Sequence, residues 1–113
     1  MILYTAGPYR APSPWGVHLN IEAAKIVARE LWLAGHAVIC PHANSAFMDG
    51  AAGETDSVFL SGDLALLSRC DGIVMLPGWQ SSAGATAEMA YARKYEIQVF
   101  FWDTHSLELC HAS

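Results

Sequence analysis

Four short apolar runs separated by three longer stretches with helical spacing limit the fold more than any other feature of this 113-residue chain. Residues 2–6, 37–40, 73–76 and 99–102 are rich in Ile, Val and aromatic side chains, and Gly, Pro, His or Asp bound each run. Runs of that kind suit buried strands. Between them, residues 20–34 set Ile21, Ala24, Val27, Ala28 and Leu31 at helical spacing and stop before Gly35, a C-terminal stop signal. Residues 56–70 follow Thr55, a candidate N-cap, and put Leu60, Leu64 and Leu67 on one stripe. An alanine-rich third helix is expected over 83–95, and the tail, 104–113, is expected to add one or two helical turns.

Strict alternation of strand and helix predicts an α/β fold, a three-layer, doubly wound parallel sheet of the flavodoxin or Rossmann type. Parallel neighbours need a crossover, and crossovers are nearly always right-handed. Four strands in the order 2-1-3-4 and one domain over 1–113 fit the length. In such a sheet ligands bind beyond the carboxyl ends of the strands where strand order reverses, here between the first and third. The loops flanking that point are 7–10 and 77–82.

Composition narrows the partners. Hydrophobic residues make up 53% and charged residues 15%, too apolar a balance for a solvated tail. A formal charge of -5 has the wrong sign for gripping a nucleic-acid polymer, though it leaves room for one small anion. Cys40, Cys70 and Cys110 are odd in number and widely spaced, which suits reduced thiols in a cytoplasmic chain. Cys40-x-His42 lacks a second pair at ligand spacing, so no metal is expected. No apolar run approaches the roughly 18 residues that cross a membrane.

Within 81–88, Ser82 suits an N-cap, Gly84 and the alanines permit close approach, and Glu88 is the only carboxylate between Trp79 and Tyr95. A carboxylate near a helix N-terminus is kept ionised by the dipole, as a nucleophile or an electrostatic stabiliser requires; it equally suits a surface helix complementing its own dipole. Asp63 lies three residues after Leu60 and four before Leu67, on the inward stripe, where an unpaired acid is costly. Two carboxylates from different helices are the minimum set for cleaving a glycosidic bond. Arg10, beside Tyr9, falls at the switch point, where a guanidinium can hold a phosphate or carboxylate. Ser81, Ser82 and the amides opening the third helix supply the other half of an anion site. His42 is expected as a polar wall of the cleft, Trp15 and Trp79 as loop residues, and Trp32 as core or helix interface. Asn44 and Asp49 follow His42 in a glycine-containing loop.

Tyr4-Thr5-Ala6-Gly7-Pro8-Tyr9-Arg10, Asp63 with Leu67 and Cys70-Asp71, and Ser82-x-Gly84-x-x-x-Glu88 together resemble the nucleoside 2-deoxyribosyltransferase-like superfamily. The superfamily includes deoxynucleoside 5'-monophosphate N-glycosidases and small phage and bacterial proteins, which this chain most resembles. The resemblance runs from about residue 2 to residue 102. It implies that Glu88 attacks the anomeric carbon and that Asp63 supports the sugar and departing base. It also implies that Tyr4, Gly7 and Arg10 line the pocket, that Ser82 binds phosphate, and that His42 corresponds to a histidine of the hydrolases. No cofactor is implied, and a homodimer or larger homo-oligomer is. Three departures follow: Leu76-Pro77-Gly78 replaces the Leu-Asp-Gly of transferases, only 103–113 follow the last strand, and Pro8 stands where hydrolases often have serine. The first two favour hydrolysis over base exchange. A nucleotide-sensing module on the same fold is the alternative.

Overall fold

The computed structural model describes residues 1–46, 48, 57–104 and 108–111. In chain order these form β1 (Ile2–Ala6), α1 (Pro14–Leu33), β2 (Ala37–Ile39), α2 (Pro41–Asn44), α3 (Ser57–Leu67), β3 (Gly72–Met75), α4 (Ala83–Lys94), β4 (Gln98–Asp103) and β5 (Glu108–His111). The strands make one sheet in the order β2-β1-β3-β4-β5. The first four are parallel, with Tyr4 opposite Ile39 on one side and Ile73 on the other.

Alternation along the strands builds two cores. Leu3, Val74, Leu76, Phe100 and Trp102 face α1, where they meet Ala24, Val27, Ala28 and Leu31. Tyr4, Ala6, Ile73, Met75 and Val99 face the other way, against Leu67 of α3 and Ala85 and Ala92 of α4. Helices therefore cover both faces, which is the three-layer doubly wound arrangement expected for a buried parallel sheet. Asp71 accepts a 2.7 Å hydrogen bond from the Ile2 amide and ties the start of β1 to the approach to β3.

Five expectations are corrected. The sheet has a fifth strand: β5 runs antiparallel to β4, pairing Trp102 with Leu109 and Phe101 with Cys110. An antiparallel return needs no crossover, so a short tail that reads as helical turns is long enough to add a strand. Helix α1 begins at Pro14, six residues before the predicted start. The Ser13 hydroxyl caps it by accepting from the Gly16 amide at 3.1 Å, with Pro14 at the first helical position. Burial begins only at Ile21, so apolar spacing hid that first stretch; Trp15 is consequently a helix residue, not a loop residue. Along α3 only Leu67 is buried, with Leu60 exposed and Asp63 and Leu64 in between. Trp32 is exposed rather than in the core. The expected cap Thr55, the helix start at Asp56 and the loop residue Asp49 lie outside the described residues.

Candidate active site

Because α1 leaves β1 on one face and α4 leaves β3 on the other, the chain parts between these strands at their carboxyl ends, as the switch-point rule requires. A cavity of about 460 Å³ opens there, within the size range of small-molecule sites. After β1, Gly7, Pro8, Tyr9 and Arg10 line it; after β2, Pro41, His42 and Ser45; from α3, Phe59, Leu60 and Asp63; after β3, the 81–85 segment and Glu88. Nine of the ten residues predicted for the site therefore lie on one cavity. The tenth, Tyr4, stands behind the wall, fully buried, with its phenol donating to Oε2 of Glu88.

Two glycines fix the loops. A Cβ on Gly7 would sit 2.8 Å from the Leu76 Cβ, so only glycine lets the first loop lie against the end of β3. Gly78 has φ +86°, the left-handed conformation that turns the chain from β3 into a 3-10 turn at Trp79–Ser81. Trp79 packs in that turn against Phe101, ring centres 6.0 Å apart. The Ser82 hydroxyl then caps α4 by accepting from the Ala85 amide at 3.1 Å. Ser81 donates to the Gly78 carbonyl at 2.9 Å. A Cβ on Gly84 would meet only the Ser82 hydroxyl, at 4.0 Å, so this first-turn position presents bare backbone to the cavity.

The first loop is pinned from two sides. His42 on α2 donates from Nε2 to the Pro8 carbonyl at 2.8 Å, and Asn20 of α1 donates to the Tyr9 carbonyl at 3.0 Å. A carbonyl only accepts, so Nε2 carries the ring proton. Burial lowers the His42 pKa and keeps the ring neutral, while Nδ1 is buried with no hydrogen-bond partner among the described residues. The ring also contacts Tyr9, centroids 5.7 Å apart.

The carboxylates differ from expectation. Glu88 lies beyond the first turn of α4, outside the short reach of the helix dipole. Burial pushes its pKa up to about 7, the Tyr4 phenol pulls against that rise, and the Asp63 charge adds to it. The predicted dipole-held carboxylate is thus a desolvated one instead. Burial also raises Asp63. Tyr4 is driven far above the usual tyrosine range by burial and by the Glu88 charge, so it stays a proton donor at any working pH. Among the described residues, no three His, Cys, Asp or Glu side chains gather as a metal site would require.

A family profile described as a domain of unknown function (DUF4406) matches residues 1–101. The chain belongs to the DUF4406 family. No curated protein matches it. Among solved structures, this DUF4406 protein resembles the 2-deoxyribosyltransferase of the psychrotolerant bacterium Bacillus psychrosaccharolyticus, with TM-score 0.66 at 15% identity over 100% of both chains. It also resembles a conserved protein of Enterococcus faecalis V583, with TM-score 0.61 at 21% identity, over 88% of this chain and 61% of the other. At such identities the likeness is one of fold, and the fold of this DUF4406 domain is that of the 2-deoxyribosyltransferase. No helix among its described residues is long and apolar enough to cross a membrane.

Sequence reasoning missed Asn20, Phe59 and Leu60. Asn20 has a signal in hindsight: a carboxamide beside the buried Ile21 has a nearby backbone group to satisfy. Phe59 and Leu60 have none, because one apolar residue on an amphipathic stripe reads like any other.

Proposed function

We propose that this protein cleaves the N-glycosidic bond of a nucleoside or nucleoside 5'-monophosphate, of the 2'-deoxy series, through a covalent glycosyl ester on Glu88. The observation that carries this reading is the buried Glu88 carboxylate at the wall of the cavity with one oxygen engaged by Tyr4. That hydrogen bond orients the group and leaves Oε1 for attack on C1'. As the C1'–O bond forms, the C1'–N bond breaks; its electron pair passes to the base nitrogen, which takes a proton from Asp63 or a water. A water then adds at C1', giving one proton to the Asp63 carboxylate or to solvent, the ester bond breaks with its electron pair passing to oxygen, and Glu88 returns as the carboxylate. Exclusion of water around Glu88 strengthens its attraction for the positive charge that develops on the sugar.

Ser81, Ser82 and Gly84 at the opening of α4, with Arg10 and Tyr9 across the cavity and His42 beside them, suit a substrate anion such as a 5'-phosphate. Loss of the Leu-Asp-Gly acid at Leu76-Pro77-Gly78 favours water over a second base as acceptor, and no cofactor takes part. The reduced-thiol composition suits a cytoplasmic enzyme.

A panel of nucleosides and 5'-monophosphates, each with and without an acceptor base, tests this by chromatography of released base. Turnover should appear for at least one class and vanish in Glu88→Ala. Equal release by the variant overturns the role of Glu88. Calorimetric binding without any release makes the cleft a nucleotide sensor instead.

A further inference from the structure

Helix α1 starts about two turns before it has anything to bury. Residues 14–20 supply none of its buried side chains, which begin at Ile21, yet ordering them costs conformational entropy. Two of them, Gly16 and Asn20, are poor helix formers. They stand four apart and so share one face, and that face lies along the loop that follows β1. At Gly16 the loop comes so close that an added Cβ would sit 2.6 Å from the Ala11 Cβ. One turn further on, the Asn20 carboxamide donates to the Tyr9 carbonyl at 3.0 Å. As the helix runs from 16 to 20 its contacts step back from 11 to 9, so the loop lies antiparallel along α1.

We propose that Gly16 and Asn20 are positioning residues that set the Tyr9–Arg10 segment to receive the anionic group of the substrate. Neither lines the cavity, so each acts through the loop. The carbonyl held by Asn20 belongs to the peptide that joins Tyr9 to Arg10, and the carbonyl held by His42 at 2.8 Å belongs to the one that joins Pro8 to Tyr9. A peptide unit is planar, so holding both carbonyls fixes φ and ψ of Tyr9 and the direction in which the chain enters Arg10. Arg10 lines the cavity together with Ser81, Ser82 and Gly84, and a guanidinium grips phosphate best when its fork meets the oxygens squarely. A side chain at position 16 would push Ala11, and Arg10 with it, away from the helix. The inference rests on reading the cavity as a site for a nucleoside 5'-monophosphate, and it traces the grip on the phosphate to a helix behind the cavity wall.

Steady-state base release by the full chain, compared between a 2'-deoxynucleoside 5'-monophosphate and its free nucleoside, tests this. Asn20→Ala should raise KM for the monophosphate about tenfold, with kcat and the nucleoside's KM each changed less than about twofold. Asn20→Asp, which sets a carboxylate oxygen against the Tyr9 carbonyl, should raise it further, about thirtyfold. Helix propensity alone would make Gly16→Ala stabilising. Its Cβ displaces Ala11, however, so KM should rise about fivefold, and adding Ala11→Gly should return it to within about twofold of the parent. An Asn20→Ala that loses kcat or folded protein at unchanged KM has a structural role only and overturns the proposal. So does a KM that rises equally for nucleoside and monophosphate, or a Gly16→Ala effect that Ala11→Gly does not reverse. NMR relaxation reads the loop with no ligand: order parameters of the Tyr9 and Arg10 amides, about 0.85 in the parent, should fall below about 0.6 in Asn20→Ala. No fall overturns the proposal. A parent that releases no base from any substrate ends the proposed cleavage alone, and the order parameters still decide whether α1 holds the loop.

Discussion

Helix α4 presents Glu88 from a capped and well-packed position, with Ala85 and Ala92 buried against the sheet and Tyr4 gripping the carboxyl group. Helix α3, which packs beside α4 on the same face of the sheet, presents Asp63, yet only Leu67 of that helix is buried. The two acids therefore stand in different mechanical settings. In the proposed reaction the group that forms a bond to carbon has to be held to a fraction of an ångström, and Glu88 sits on the better-packed helix. In the same proposed reaction the group that gives a proton to a departing base has to tolerate movement of that base, and Asp63 sits on the less buried helix.

The largest test of this contrast is Glu88→Gln, which should lower base release by about a thousandfold or more, measured as kcat/KM. The same substitution should raise stability at high pH, because burial holds the Glu88 pKa near 7 in the folded chain against an ordinary 4.5. Below pH 4.5 folded and unfolded chains are both protonated and the residue imposes no penalty. Between 4.5 and 7 the unfolded chain ionises first, so stability falls as pH rises. Above that window the full penalty applies, on the order of 3 kcal/mol. Urea unfolding should accordingly find the variant more stable than the parent at pH 8 and equal to it at pH 4. No difference at pH 8 would mean that Glu88 is better solvated than its burial implies.

The contrast between the helices was only partly legible in the sequence. Alternating runs were enough to find β1 to β4, their order and the switch point, because a buried parallel sheet leaves a near-continuous apolar signature. The same reasoning placed Glu88, Asp63 and the 7–10 loop around one crevice, since topology alone brings those loops together. It erred on what kind of carboxylate Glu88 is. Position on a helix suggested the dipole, whereas the deciding influences are burial and a phenol 84 residues away in sequence, which no local pattern encodes. It erred also on the tail, where pairing of Leu109 with Trp102 depends on an edge that exists only once the sheet has formed.

Asp63→Asn comes next in size. Loss of its proton should reduce release about a hundredfold for substrates with a poorly leaving base, and less for those with a good one. Because the Asp63 charge helps to raise Glu88, the rising limb of the pH–rate profile, near 7 in the parent, should also move to lower pH. A uniform loss across leaving groups would assign Asp63 to sugar binding. Tyr4→Phe acts in the opposite direction on that limb. The phenol is the one influence that lowers Glu88, so its removal should move the limb upward and cost about tenfold at pH 7, with recovery at pH 9. A loss that persists at pH 9 would mean that Tyr4 matters for orientation more than for ionisation.

The smallest expected effect bears most directly on the looser side. Phe59 lines the cavity from α3 and is half-buried, so Phe59→Ala should leave the fold intact. A side chain that contacts bound substrate equally before and during bond cleavage contributes uniform binding. Its loss should raise KM about threefold to tenfold and leave kcat unchanged. If kcat falls instead, α3 is positioning Asp63 through Phe59, and the division between a rigid bond-forming wall and a tolerant base-facing wall has to be redrawn with both helices on the rigid side.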